Sequence, residues 1–131
     1  MSKEIKEYDK NNNLIHHKDS NGYEYWREYD KNNNLIHSKN SNGDEYWYKY
    51  DENNNEIHFK DSDGDESWQE YNENNNSIHY RDSNGIEYFY KYIDREAIEI
   101  TKKEFEQIKR DKVINSYFRN NKVSRFELMD L

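Results

Sequence analysis

The sequence has no cysteine and no proline in 131 residues, and only four glycines and two methionines. Without cysteine there are no disulfides and no thiolate metal sites, so strand pairing and packing must hold the fold. Without proline, nothing removes a donor from an array of hydrogen-bonded strands. Aliphatic residues are also scarce: 31% of the chain is hydrophobic, 37% is charged, and the formal charge is −8. No stretch approaches the roughly 18 to 20 apolar residues that cross a bilayer. The opening MSKEIKEYDK lacks the apolar run of a secretory signal. These readings place the chain off the membrane and in the cytoplasm, the host's if it is phage-encoded. The acidic balance disfavours nucleic acid as a direct ligand and favours a basic protein.

Low hydrophobicity with high net charge is the composition of a disordered chain, but 13 Tyr, 5 Phe and 3 Trp are not. The feature present in abundance is repetition. EYDKNNNLIH stands at 7–16 and again at 28–37, and returns as KYDENNNEIH at 49–58 and EYNENNNSIH at 70–79, always 21 residues on. A fixed period of this size marks a stack of one supersecondary unit.

Each unit contains two strand-like runs and two turns. One turn is Asn-Gly (Asn21-Gly22, Asn42-Gly43, Asn84-Gly85) or Asp-Gly (Asp63-Gly64), a strong signal for a two-residue hairpin turn. The other is the Asn run at 11–13, 32–34, 53–55 and 74–76, which suits a longer loop ending in a left-handed Asn. A two-residue Asn21-Gly22 turn pairs Ser20 with Tyr23, and a three-residue loop over 31–33 pairs Asp30 with Asn34. Together they set each residue beside its equivalent in the next repeat, two strands on, and keep every side chain on its own face.

That register predicts three rows on one face. The first is an aromatic ladder of Ile5, His17, Trp26, Ser38, Trp47, Phe59, Trp68, Tyr80 and Phe89. Beside it run Ile15, Ile36, Ile57 and Ile78 with alternating charges, then an acidic row through Asp19, Glu24, Glu45, Asp61, Glu66, Asp82 and Glu87. The other face carries Tyr8, Leu14, Tyr29, Leu35, Tyr50, Glu56 and Tyr71, flanked by His16, His37, His58 and His79. The expected fold is mainly β: a meander of hairpin repeats over 1–94 forming an extended twisted antiparallel sheet. Nine strands at about 4.8 Å give a width of roughly 38 Å.

Residues 95–131 form the predicted cap. Thr101 and Glu104 have capping-box spacing, flanked by Ile100 and Phe105 as a hydrophobic staple, so a helix starts near Lys102 and runs to about Val113 or a few residues beyond. The tail VSRFELMDL reads equally as strand or helix.

The unit YDKNNNLIH..DSNG.EYW..YD resembles the YD repeat of RHS proteins over residues 7–93. The matching pairs are Tyr8-Asp9, Tyr29-Asp30 and Tyr50-Asp51, degraded to Tyr71-Asn72 and Tyr92-Ile93, with Asn12 and Asn33 where that family usually has Gly. The resemblance implies β-hairpin geometry. Four units enclose nothing, so the toxin-housing role of large RHS shells does not carry over. A fainter likeness links the aromatic repeats to choline- and glucan-binding wall modules, which are secreted and richer in Gly.

The four histidines suggest a metal ladder, but equivalent residues two strands apart lie about 9.6 Å from each other, beyond the reach of one zinc ion. No metal or cofactor is expected, and the histidines are read as pairing with Tyr, Arg and Gln. Asp19 with Glu24, and Asp61 with Glu66, would sit side by side, a repulsion that lysines, Ca²⁺ or a basic partner would offset. The run DSDGDE at 61–66 has the oxygens of a calcium loop without its spaced bidentate Glu. Paired carboxylates also suit a retaining glycosidase, yet a pair repeated in every unit is not one distinguished catalytic pair. The chain is therefore read as non-enzymatic.

The residues expected to contact a partner are Asp19, Glu24, Trp26, Glu45, Trp47, Asp61, Asp65, Glu66, Trp68, Asp82, Glu87 and Phe89. The expected role is an acidic inhibitor covering a basic, nucleic-acid-binding surface, such as that of a bacterial defence nuclease or a toxin. Toxin-immunity proteins and phage inhibitors share this small, acidic character. The alternatives are a wall or glycan module using the Trp and Tyr rows, and a structural array that self-associates, as a homodimer through the aromatic face or a sheet edge.

Overall fold

The computed structural model describes residues 3–121. The predicted tail, Val123 to Leu131, lies outside them. Ten strands and one helix make the fold mainly β: β1 (Ile5–Tyr8), β2 (Leu14–Lys18), β3 (Glu24–Tyr29), β4 (Leu35–Asn40), β5 (Glu45–Tyr50), β6 (Glu56–Asp61), β7 (Glu66–Tyr71), β8 (Ser77–Asp82), β9 (Glu87–Ile93), β10 (Glu96–Ile100) and α1 (Lys102–Asn121). The chain divides into two compact units, Met1–Glu87 and Tyr88–Leu131.

In the first unit β1 to β8 form an open sheet in chain order, each strand antiparallel to the next. All of its hairpin loops share one geometry. In the Asn loops, Asp30 N donates to Asn34 O at 2.9 Å and Asn33 N donates to Asp30 O at 3.0 Å, closing the predicted three-residue loop. The left-handed residue is the middle Asn of each run: Asn12, Asn33, Asn54 and Asn75, with φ between 64° and 66°.

The Asn-Gly turns depart from the two-residue prediction. Asp19 N donates to Tyr23 O at 2.9 Å and Gly22 N donates to Asp19 O at 3.1 Å, so Ser20, Asn21 and Gly22 form a three-residue loop. The side chain of Asp19 explains the choice. Its Oδ1 accepts the backbone N–H of Asn21 at 2.8 Å and of Tyr23 at 3.0 Å, so one carboxylate oxygen satisfies two backbone donors of the longer loop. A two-residue type I′ turn also needs positive φ at both central residues, and only Gly22 has it.

Two three-residue loops per repeat would turn each successive repeat's side chains to the opposite face. A one-residue bulge restores parity: Tyr29 pairs with Leu35 but Glu28 pairs with His37, leaving Ile36 as the extra residue. The same shift recurs before Tyr8, Tyr50 and Tyr71. His16 therefore pairs with Trp26, and Trp26 with Lys39. A residue meets one 23 positions on rather than 21, so each repeat slides two residues past the last while its faces are conserved.

The slide corrects the predicted rows. Trp26, Trp47 and Trp68 share a face with His16, His37 and His58, whereas His17, Ser38, Phe59 and Tyr80 lie on the opposite, tyrosine-rich face. The continuous aromatic ladder does not exist. The Tyr8–Leu14, Tyr29–Leu35 and Tyr50–Glu56 pairings are as predicted.

The second unit contains the strand the sequence reading omitted. Asp94 and Arg95, with φ of 52° and 72°, make a two-residue turn that pairs β10 with β9. Thr101 caps α1 as predicted, its Oγ1 accepting the Glu104 N–H at 3.1 Å, but the helix runs on to Asn121. Phe89, Ile100 and Phe105 are buried, with the Phe89 and Phe105 rings 4.9 Å apart. They are the only buried hydrophobic residues among those described, and all three belong to this unit.

Candidate functional site

Among its described residues the first unit has no buried hydrophobic side chain, so they are held laterally, and the repeat sequence records how. On the Asn-loop edge, Asn13 Nδ2 donates to Asp9 Oδ2 at 3.1 Å and to Asn33 Oδ1 of the next loop at 2.9 Å. Asn34 continues to Asn54 at 2.8 Å, and Asn55 to Asn75 at 2.9 Å. The asparagines of a run thus divide the work between them, the second taking the left-handed turn and accepting while the third donates. On the other edge, serine does the linking. Ser41, Ser62 and Ser83 Oγ each accept the N–H of Glu24, Glu45 and Glu66 at 3.0 Å.

On the tryptophan face each histidine is hydrogen-bonded to a glutamate at a constant spacing of eight residues. The Nε2 to carboxylate distances are 2.5 Å for His16–Glu24, 2.7 Å for His37–Glu45, 2.6 Å for His58–Glu66 and 2.8 Å for His79–Glu87. The rings of His16, His37 and His58 stack on Trp26, Trp47 and Trp68 at 5.4 to 5.5 Å. The predicted Tyr, Arg and Gln partners of the histidines are thus replaced by Trp and Glu. His16 Nδ1 also faces Glu7 at 3.4 Å, and only the protonated imidazole donates from both nitrogens. Its hydrogen bond to Glu24 holds the His16 imidazole pKa above its ordinary value.

These contacts redistribute the residues predicted to bind a partner. Glu24, Glu45 and Glu66 lie opposite Lys18, Lys39 and Lys60, not beside Asp19, Asn40 and Asp61. The predicted repulsion within an acidic row is absent, because the three-residue turn moves each aspartate out of that row. Trp68 carries Arg81 over its ring at 4.4 Å and His58 against it, so both ring faces are in use. Trp26 and Trp47 remain exposed beyond their stacked histidines. Phe89 is buried in the second unit. A groove of about 880 Å³ on this sheet is lined by residues including Ile36, His37, Trp47, Lys49, Ile57 and His58.

The remaining acidity collects at the Ser-turn edge. Its four turns, 19–23, 40–44, 61–65 and 82–86, contain Asp19, Asp44, Asp61, Asp63, Asp65 and Asp82, and no Lys or Arg. Asp63 and Asp65 are exposed. The negative field there is felt by a neighbour: Asp44 first, then burial, Asp61 and Asp63, push the Tyr46 hydroxyl pKa up. The Asn-loop edge is different, since Lys10 and Lys31 follow Asp9 and Asp30. There the backbone N–H groups of Asn13, Asn34 and Asn55 hold the Asp9, Asp30 and Asp51 carboxyl pKa values below the ordinary range.

Sequence reasoning missed the His–Glu ladder although its signal was available: His and Glu recur eight apart in all four repeats. No group of three or more His, Asp or Glu side chains arranged to hold a metal ion occurs among the described residues. Among them, too, no helix is long and apolar enough to cross a membrane. No family model matches the chain, and no curated protein matches it.

Proposed function

We propose that the protein is a non-enzymatic acidic binding module that covers a basic, nucleic-acid-binding surface of a partner such as a bacterial defence nuclease or a toxin. One observation carries this reading: the four Ser turns hold six carboxylates and no cation between the Lys18, Lys39, Lys60 and Arg81 that precede them and the strands that follow, and they are fixed by their own hydrogen bonds. Turns of successive repeats stand about 9.6 Å apart, so the charges form a preorganised row and little ordering is needed on binding. The face glutamates contribute less, since each accepts a histidine hydrogen bond and lies opposite a lysine in the strand register. The test is capture of host proteins on the immobilised chain. A basic nucleic-acid-binding protein should be retained at low salt, released at high salt, and prevented from binding its nucleic acid while held. Retention of no such protein would overturn the reading.

A second reading, self-association, is favoured by the tyrosine face. Tyr25, Tyr46, Tyr48, Phe59 and Tyr80 are half-buried there with no second layer over them in the unit. Aromatic enrichment with few charges is the composition of an interface core. Sedimentation should then show a dimer that Tyr48→Lys dissociates; a monomer at high concentration would reject this reading. Stacking of glycans on tryptophan is less favoured, because a histidine already stacks on each of the three rings and Arg81 also covers that of Trp68.

A further inference from the structure

We propose that the Ser-Asn-Gly turns are sites of spontaneous deamidation, a covalent modification that adds negative charge to turns that already hold carboxylates and no Lys or Arg. Asn21, Asn42 and Asn84 each precede a glycine, and residues 20–22, 41–43 and 83–85 are exposed. No other part of the chain lies within 4 Å of where a Cβ would stand on Gly22, Gly43 or Gly85, so these glycines face open space and carry no side chain to hinder ring closure. The three asparagine side-chain amides have no partner among the described residues; only their backbone N–H groups are engaged.

The chemistry needs only water. The Gly22 nitrogen forms a bond to Asn21 Cγ, the Cγ–Nδ2 bond breaks, and the displaced proton leaves with the amino group as ammonia. Water then adds to either carbonyl of the five-membered succinimide and opens it to aspartate or isoaspartate. The glycine N–H must first leave the carbonyl of Asp19, at 3.1 Å, an opening confined to one exposed turn tip.

The Asn-loop edge has the opposite character despite its many asparagines. There the side chains of Asn13, Asn34 and Asn55 each donate twice, those of Asn33, Asn54 and Asn75 accept, and every following residue carries a side chain. The third repeat already shows the product: Asp63 precedes Gly64 at the same position, with φ of 92° at the glycine and the same turn bond at 3.3 Å. The aspartate product therefore keeps the fold. Isoaspartate lengthens the main chain by one methylene and breaks the turn.

The experiment incubates the folded chain in ¹⁸O-water at mildly alkaline pH and maps conversion by peptide mass spectrometry, with isoaspartate scored by enzymatic methylation. Conversion at Asn21, Asn42 and Asn84 should precede that at any asparagine of 11–13, 32–34, 53–55 or 74–76. Isoelectric focusing should show acidic steps of one charge each. Equal conversion in the Asn loops, or intact Asn-Gly pairs where the same unfolded peptides react, would overturn the proposal. Any effect on partner capture rests on the proposed function and is separable. The variant combining Asn21→Asp, Asn42→Asp and Asn84→Asp should hold a basic partner to higher salt; unchanged capture beside normal deamidation would count against the binding reading alone.

Discussion

The two units solve the same problem by different means. Tyr88–Leu131 buries Phe89, Ile100 and Phe105 between a hairpin and a helix, while the sheet of Met1–Glu87 has no buried hydrophobic residue among those described. In the first unit, ordering is offset by many lateral terms, each worth about 0.2–1 kcal/mol across a strand pair. A core concentrates stability in a few residues; ladders distribute it over every repeat. A laddered sheet can therefore change the charge of its turns without disturbing a packed interior, which suits a surface that acts through its charge.

Several substitutions test that contrast. The largest effect belongs to the cored unit: Phe105→Ala should cost about 3 kcal/mol, as for other buried aromatics. Amide exchange in β9, β10 and α1 should report it, with β3 to β6 unchanged. In the laddered unit, Asn34→Ala removes one link of the amide chain and should cost about 1 kcal/mol. Denaturant unfolding measures that loss, and a cost as large as that of Phe105→Ala would remove the distinction.

A smaller effect has the opposite sign. Burial pushes the Glu56 carboxyl pKa up, and Leu14 and Leu35 occupy the equivalent position in earlier repeats. Glu56→Leu should therefore stabilise by roughly 0.5–1 kcal/mol, seen as a higher thermal midpoint. The Tyr71 hydroxyl bond to the Glu56 carbonyl survives the change.

The smallest effect is that of pH on the corner of β1 to β3. Because the His16 pKa is raised in the fold, its contribution is fully present below the ordinary imidazole pKa and is lost as pH rises through the raised value. The Asp9, Asp30 and Asp51 contributions run the other way: present above the ordinary carboxylate range, lost as pH falls through the lowered values. Histidine titration by NMR should place His16 above free imidazole; an ordinary value would remove this term.

The mainly β meander, the three-residue Asn loop with its left-handed residue and the Thr101 helix start were legible because each follows from a local signal. Register was not, since it depends on details that pattern alone leaves degenerate. Asn-Gly suits both two- and three-residue turns, and only the Asp19 side chain, two residues before Asn21, selects the longer one. A bulge at Ile36 then conserves parity as well as the shorter turn would have done. That single ambiguity moved Asp19 and Asp61 out of the row of Glu24 and Glu66, and moved the candidate site from the sheet face to its edge. The β9–β10 hairpin was hidden because Asp94-Arg95 takes positive φ without a glycine.

Binding of poly-lysine, followed by calorimetry at low salt, separates edge from face most directly. The intact chain would be compared with one combining Asp44→Asn, Asp63→Asn and Asp65→Asn, and with another combining Glu24→Gln, Glu45→Gln and Glu66→Gln, each checked for an unchanged β circular dichroism spectrum. If the Ser-turn edge is the binding surface, the aspartate variant loses most of the affinity and the glutamate variant keeps most of it. The reverse order would place binding on the tryptophan face and contradict the account.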